Sequence, residues 1–235
     1  MTVETELQSE SEEVIVHLGM KIPLQRPLLS QTIINALRKG FYEKQEANEL
    51  ERLIEPDERI LEIGAGIGFI SSLCAKNENA GAIRAYEANP DLIPFIKRVH
   101  ALNEIDKVEV VNGVLSSSPT SPKATFYQRH DFWASSLSPE PFKYKNTVEV
   151  DVVDFDAVIA EFKPTLIICD IEGGELDLMR HATLGSVKKV YMEIHQKVLG
   201  RRGIKDLFDC MSAKGFHYDQ HHSHRGVVLF SHVDR

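Results

Sequence analysis

The chain has 235 residues, 43% hydrophobic and 26% charged, an ordinary globular composition that suffices for one large domain or at most two small ones. Acids outnumber bases by 35 to 27, a formal net charge of -8, which argues against a general nucleic-acid binder, because a phosphate footprint needs a basic surface. Cys74, Cys169 and Cys210 are far apart without CxxC spacing, no apolar run approaches the roughly 18 residues of a membrane span, and the start is acidic rather than a basic, apolar leader. The expectation is a cytoplasmic protein with no disulfide scaffold, no cysteine zinc module and no membrane partner.

Residues 1–13 carry Glu4, Glu6, Glu10, Glu12 and Glu13 and few large apolar groups, so they read as a frayed acidic tail. Residues 14–55 read as an N-terminal helical cap. Val14–Val16 is a short strand, and Pro23 and Pro27 then exclude a helix up to Ser30. A helix runs from Ser30 to near Gly40 on Ile33, Ile34 and Leu37, and another covers Gln45–Ile54.

From residue 56 the period changes. Short apolar strands at Arg59–Ile63, Ala82–Tyr86 and Val108–Val111 alternate with helices at Phe69–Ala75 and Asp91–Leu102, which implies parallel βαβ units with right-handed crossovers. Residues of about 116–150 interrupt the rhythm. This stretch holds three consecutive serines and the single tryptophan, Trp133, and Ala124–Gln128 and Thr147–Val152 read as a hairpin. Its aromatic residues call for something to pack against, so it reads as an insertion within the domain: a substrate lid, an oligomer contact or plain packing. The alternation resumes with a helix at Asp154–Phe162, a strand at Leu166–Cys169, a helix at Gly174–Met179, a strand at Val190–Ile194 and a helix at Ile204–Lys214. A final antiparallel pair covers Phe216–His221 and Gly226–Phe230, with His221, His222 and His224 in the turn between them, read as exposed, with a metal site or the substrate mouth as the alternatives. The fold class is α/β: a Rossmann-like, mostly parallel sheet, helices on both faces, and an antiparallel last strand.

Three places carry chemistry. In Glu62-Ile63-Gly64-Ala65-Gly66-Ile67-Gly68, a strand runs straight into a helix through a glycine turn, whose unpaired helix N–H groups and lack of Cβ atoms let a ligand approach. About 20 residues on, Glu87 ends the second strand, where a carboxylate can accept hydrogen bonds from both ribose hydroxyls of an adenosine. Nicotinamide enzymes share such turns, so an oxidoreductase stays open at this point. Asn112-Gly113 follows the third strand. Next, Asp170, Glu172 and Glu175 crowd the carboxyl end of a buried strand, the edge at which open α/β sheets bind ligands. Glu175 also reads as a helix-capping acid. Finally, Glu193 and His195 close the next strand on one face.

The acid-x-Gly-x-Gly-x-Gly turn with its partner acid resembles motif I of class I S-adenosylmethionine methyltransferases. Asp170-Ile171-Glu172-Gly173-Gly174-Glu175, Glu193-Ile194-His195, Trp133-Ala134-Ser135-Ser136-Leu137, Val153-Asp154-Phe155-Asp156 and Tyr42-Glu43 together resemble the FkbM-type methyltransferase family over roughly residues 40–230. The resemblance implies a seven-stranded methyltransferase sheet and S-adenosylmethionine as cofactor, with S-adenosylhomocysteine as product. It places Glu62 near the cofactor's amino-acid portion, Gly64, Gly66 and Gly68 in the turn, Glu87 at the ribose, Asn112 and Gly113 near the adenine, and Tyr42 and Glu43 close by. It also implies transfer to a hydroxyl oxygen of a small-molecule or saccharide acceptor. A neutral alcohol needs a base or a metal. Asp170 and His195 are the base candidates, oriented by Glu172 or Glu193. No metal site is predicted, although Mg²⁺ on the same oxygens is an alternative. A cofactor-binding protein without chemistry is another, and oligomeric state is left open.

Overall fold

The computed structural model describes residues 13–140 and 143–234. It opens with a hairpin, β1 (Val14–His17) and β2 (Met20–Pro23), followed by helices α1 (Gln31–Arg38) and α2 (Lys44–Leu53). The cap is therefore a hairpin plus two helices. The second strand escapes sequence reading because it ends on Pro23, which reads as a break. Ser30 caps α1 by accepting from the Ile33 N–H, and Ile33, Ile34 and Leu37 are buried. The acidic tail expected over residues 1–13 lies outside the described residues except for Glu13, which meets Arg38 at 2.9 Å.

The alternating region forms β3 (Glu58–Ile63), α3 (Phe69–Lys76), β4 (Ala80–Glu87), α4 (Ile93–Leu102) and β5 (Val108–Asn112). After the insertion come α5 (Phe155–Phe162), β9 (Leu166–Cys169), α6 (Glu175–His181), β10 (Lys189–Glu193), α7 (Gln196–Ala213), β11 (Phe216–His224) and β12 (Val227–His232). Seven of these strands make one sheet in the order β11-β12-β10-β9-β3-β4-β5. Strands β3, β4, β5, β9 and β10 pair in parallel, and β12 pairs antiparallel with both of its neighbours. The last strand is antiparallel as expected, but it lies inside the sheet, between β10 and β11.

Because side chains alternate across a strand, β3 sends Ile60 to one face and Leu61 and Ile63 to the other. The first face packs under the hairpin and α1 to α4, the second under α5, α6 and α7. The N-terminal segment thus shares a core with the sheet. A buried ion pair fastens the sheet floor: Lys189 Nζ donates to Glu58 Oε2 and to the Leu53 carbonyl, each at 2.6 Å.

Two differences from the sequence reading bear on the site. The insertion is a three-stranded sheet, not a bare hairpin: β7 (Lys123–Gln128) runs antiparallel to β8 (Asn146–Asp154), and β6 (Val114–Ser116) joins β8 in parallel. At three residues, β6 is too short to show a period. Helix α7 begins at Gln196 rather than at Ile204, and Gly200 interrupts it with φ 64° and ψ 178°. That break, with Gly203 beyond it, obscures the first turns. The C-terminal histidines are also placed differently. His221, His222 and His224 lie in β11, because the turn is made by Arg225, at φ 54°, and Gly226.

Candidate active site

The carboxyl ends of β3, β4, β9 and β10 meet at one edge of the sheet, and the insertion walls that edge off. Gln128 Nε2 donates to Asn89 at 2.7 Å and to Asp91 at 2.9 Å, and Ser117 Oγ donates to the Asp177 carbonyl at 3.1 Å. These bonds tie the inserted sheet to the β4–α4 turn on one side and to α6 on the other. Between them lies a cleft of about 680 Å³. Its walls include Gly66, Glu87, Phe126, Trp133, Asp170 and Glu172.

The glycines of the turn have separate tasks. Gly64 takes φ +90°, and a Cβ there would stand 1.9 Å from the Asp170 carbonyl oxygen, so this glycine lets the ends of β3 and β9 touch. At Gly66, with φ +54°, a Cβ would meet nothing nearer than the Phe132 ring edge and the Tyr42 hydroxyl, both at 3.7 Å. Gly66 therefore leaves its backbone open to the cleft. Gly68 packs against Ile96 and does not line the cleft.

Glu87 is buried and lines the cleft, and its carboxylate is held in one pose. The Gly66 N–H donates to Oε2 at 2.8 Å and the Asn89 N–H to Oε1 at 2.7 Å. Burial nonetheless pushes its pKa up to about 7. Glu62 lies beneath the turn, where Oε1 accepts the Ser71 N–H of α3 at 3.1 Å and Oε2 is buried without a partner. Burial pushes this carboxyl up to about 8. Tyr42 and Glu43 reach the cleft from the N-terminal segment, and both are held well above their ordinary pKa, first by burial. Gly113 lines the cleft and Asn112 does not. The Asn112 amide donates to the Glu87 and Ala88 carbonyls at 2.8 and 3.1 Å, joining the ends of β4 and β5.

Beside the glycine turn, the structure brings Asp170, Glu172, Glu193 and His195 together. His195 precedes α7, and its Nε2 lies 3.7 Å from Asp170 Oδ1 and 3.5 Å from Glu172 Oε2. Its Nδ1–H donates to Glu175 Oε1 at 2.5 Å. Burial alone would lower the imidazole pKa, but the Glu175 hydrogen bond and the Glu172 and Asp170 charges outweigh it and hold it at about 9. Confinement in the cleft, and next the Glu193 carboxylate, push Asp170 above its ordinary range. Glu175, fully buried at the start of α6, is the functional residue that sequence reasoning missed. It stands in the first turn of α6, as expected of an acid favoured by the helix dipole, and accepts the Gly173 N–H at 3.3 Å, but its partner His195 comes from a different element.

The sheet order, the glycine turn and the acid closing the second strand define a class I methyltransferase architecture. Residues 62–222 match the family model described as the Methyltransferase FkbM domain, and the chain belongs to that family. Among solved structures, the chain is similar to wild-type Trm5b from Pyrococcus abyssi at 12% identity and TM-score 0.53, over 98% of this chain and 61% of that one. It is also similar to a putative SAM-dependent methyltransferase from Streptococcus mutans at 10% identity and TM-score 0.54, over 93% of this chain and 54% of that one. The chain thus spans little more than half the length of these two proteins, and at such identities the likeness is one of fold. No curated protein sequence matches it. Among the described residues, no helix is long and apolar enough to cross a membrane.

Proposed function

We propose that the protein is an S-adenosylmethionine-dependent methyltransferase that transfers the methyl group to a hydroxyl oxygen of a small-molecule or saccharide acceptor. The observation that carries this reading is the convergence in one cleft of two halves. One is a nucleoside cradle, Gly66 with the oriented Glu87. The other is a proton-handling cluster, Asp170, Glu172 and the Glu175–His195 pair.

The residues fit the cofactor. Gly66 leaves room for a ligand against the backbone, Glu87 offers a carboxylate to a ribose, and Tyr42 and Glu43 line the same cleft. When bound, the cofactor supplies an electrophilic methyl on a sulfonium. The chain's own residues do the rest. The cleft walls from the insertion hold the acceptor so that its oxygen faces the methyl in line. The Asp170 and Glu172 carboxylates, held beside the His195 imidazole, would take the hydroxyl proton as that oxygen accepts the methyl, the cofactor leaving as its neutral thioether. Phe126 and Trp133, interleaved with Ser116, Ser135 and Ser136, give the acceptor wall both apolar rings and hydroxyls. The separated cysteines support a cytoplasmic setting.

A panel of hydroxylated acceptors incubated with methyl-labelled cofactor tests the reaction. At least one acceptor is expected to take label on oxygen, and Asp170→Asn and His195→Ala are each expected to lose about 10²–10⁴-fold in turnover, the range of general acid–base catalysis, with cofactor binding retained. Full turnover in both variants would contradict the assigned roles.

A further inference from the structure

Behind the main cleft lies a second cavity of about 40 Å³. Five carboxylates line it, from Glu43, Glu46, Glu62, Asp170 and Glu193, and no basic side chain does. A crowd of carboxyl groups is relieved either by protonation or by a bound cation. Glu62 makes the imbalance specific: it is 2% exposed, and its Oε2 has no hydrogen-bond partner. At the rim of this cavity, ligand atoms of Asp170, Glu193 and His195 all lie within 4.8 Å of one another. Among the described residues this is the one cluster of histidine, cysteine and acid side chains so arranged.

The imidazole is also supported as a metal ligand would be. A ligating histidine hands its other ring N–H to a carboxylate, which fixes the tautomer and the ring plane. Here fully buried Glu175 takes the Nδ1–H at 2.5 Å, which leaves Nε2 turned toward Asp170 and Glu172.

We propose that Asp170, Glu193 and His195 form a divalent-cation site, with Glu175 as the outer carboxylate that orients His195. Two carboxylates and water suit Mg²⁺ and Mn²⁺, and one imidazole tips the set toward Mn²⁺. Asp170 lines both the small cavity and the main cleft, so an ion held there stands beside the acceptor. Its positive charge lowers the pKa of the acceptor hydroxyl, and Glu172, outside the ligand set and on the cleft wall, is placed to take the proton. The role of the ion in transfer rests on the methyltransferase reading; its binding does not.

Mn²⁺ alone is the probe. The full chain, stripped with a chelator, is titrated with MnCl₂ while electron paramagnetic resonance follows the free ion, and thermal stabilisation by S-adenosylmethionine is measured on the same samples. The expected result is one Mn²⁺ per chain, lost in Glu193→Gln and in His195→Gln. Glu175→Gln is expected to bind about 10- to 100-fold more weakly, as an outer-shell change does. All variants that fold keep the cofactor stabilisation. No uptake by the wild type, or uptake unchanged in both ligand variants, overturns the site. Stabilisation by the cofactor without Mn²⁺ uptake removes only the metal, whereas absence of both removes the methyltransferase reading as well.

Discussion

Glu62 shows how one side chain can serve the fold and strain it at the same time. It accepts the Ser71 N–H of α3, yet its second oxygen is buried without a partner, and burial raises its pKa from 4.5 to about 8. The folded state therefore binds this proton more tightly than the unfolded chain. That stability is fully present below the unfolded value of 4.5 and is lost as pH rises through about 8. The ligand-free protein is expected to melt at progressively lower temperature between pH 6 and 9, and Glu62→Gln, neutral throughout, is expected to flatten that decline. Equal slopes in melting curves of the two proteins would contradict the assignment.

The residue scale also separates what could be read from the chain and what could not. The glycine turn and Glu87 are legible because they are local: a strand, a turn and a helix with an acid at a fixed distance. The different tasks of Gly64 and Gly66 are not, because they depend on β9 standing against one and open space against the other. Glu175 reads as a first-turn acid at the ligand-binding edge, but its hydrogen bond to His195 is not legible, since His195 reaches it only once α6 and α7 are packed. Asn112 is the converse case. Its place after the third strand is right, but its amide is used on the carbonyls of β4.

Elements with a clear apolar run or period are close to their expected bounds: Leu166–Cys169 is β9 as read, and α3 and α5 differ by a residue. Elements without one are not: β2 ends on Pro23, β6 has three residues, and α7 is broken at Gly200. The N-terminal elements matter beyond their own residues, because Ile34 and Leu37 of α1 are buried in the same core as Ile60 and Phe69. They also deliver Tyr42 and Glu43 to the cleft. Ile34→Ala should cost about 2–5 kcal/mol in urea unfolding, as for a large aliphatic residue removed from a packed core. A single unfolding transition is expected; a separate early transition would mean that the N-terminal segment folds independently of the sheet.

At the scale of the whole molecule, the net charge of -8 looks different once the chain is folded. Five glutamates of the excess sit in the first 13 residues. Others, including Glu43, Glu62, Asp170 and Glu193, converge on the sheet edge and share one small cavity. The excess acid is therefore concentrated in a site whose carboxyl groups hold protons in the ligand-free protein and can give them up in favour of a cationic cofactor and, on the further proposal, of a divalent ion. The insertion completes that site by supplying its outer wall, which the periodicity of the sequence could mark as an interruption but could not orient.

The central claim is that Gly66 and Glu87 hold the nucleoside of a sulfonium cofactor beside the carboxylates. Thermal shift of the wild type and of Glu87→Ala with S-adenosylmethionine, S-adenosylhomocysteine and NAD tests it directly, because a ligand that binds only the folded state raises the melting temperature. Both S-adenosylmethionine and S-adenosylhomocysteine are expected to stabilise the wild type, NAD is not, and Glu87→Ala is expected to lose most of the shift while remaining folded. Stabilisation by NAD alone, or an undiminished shift in Glu87→Ala, would contradict it.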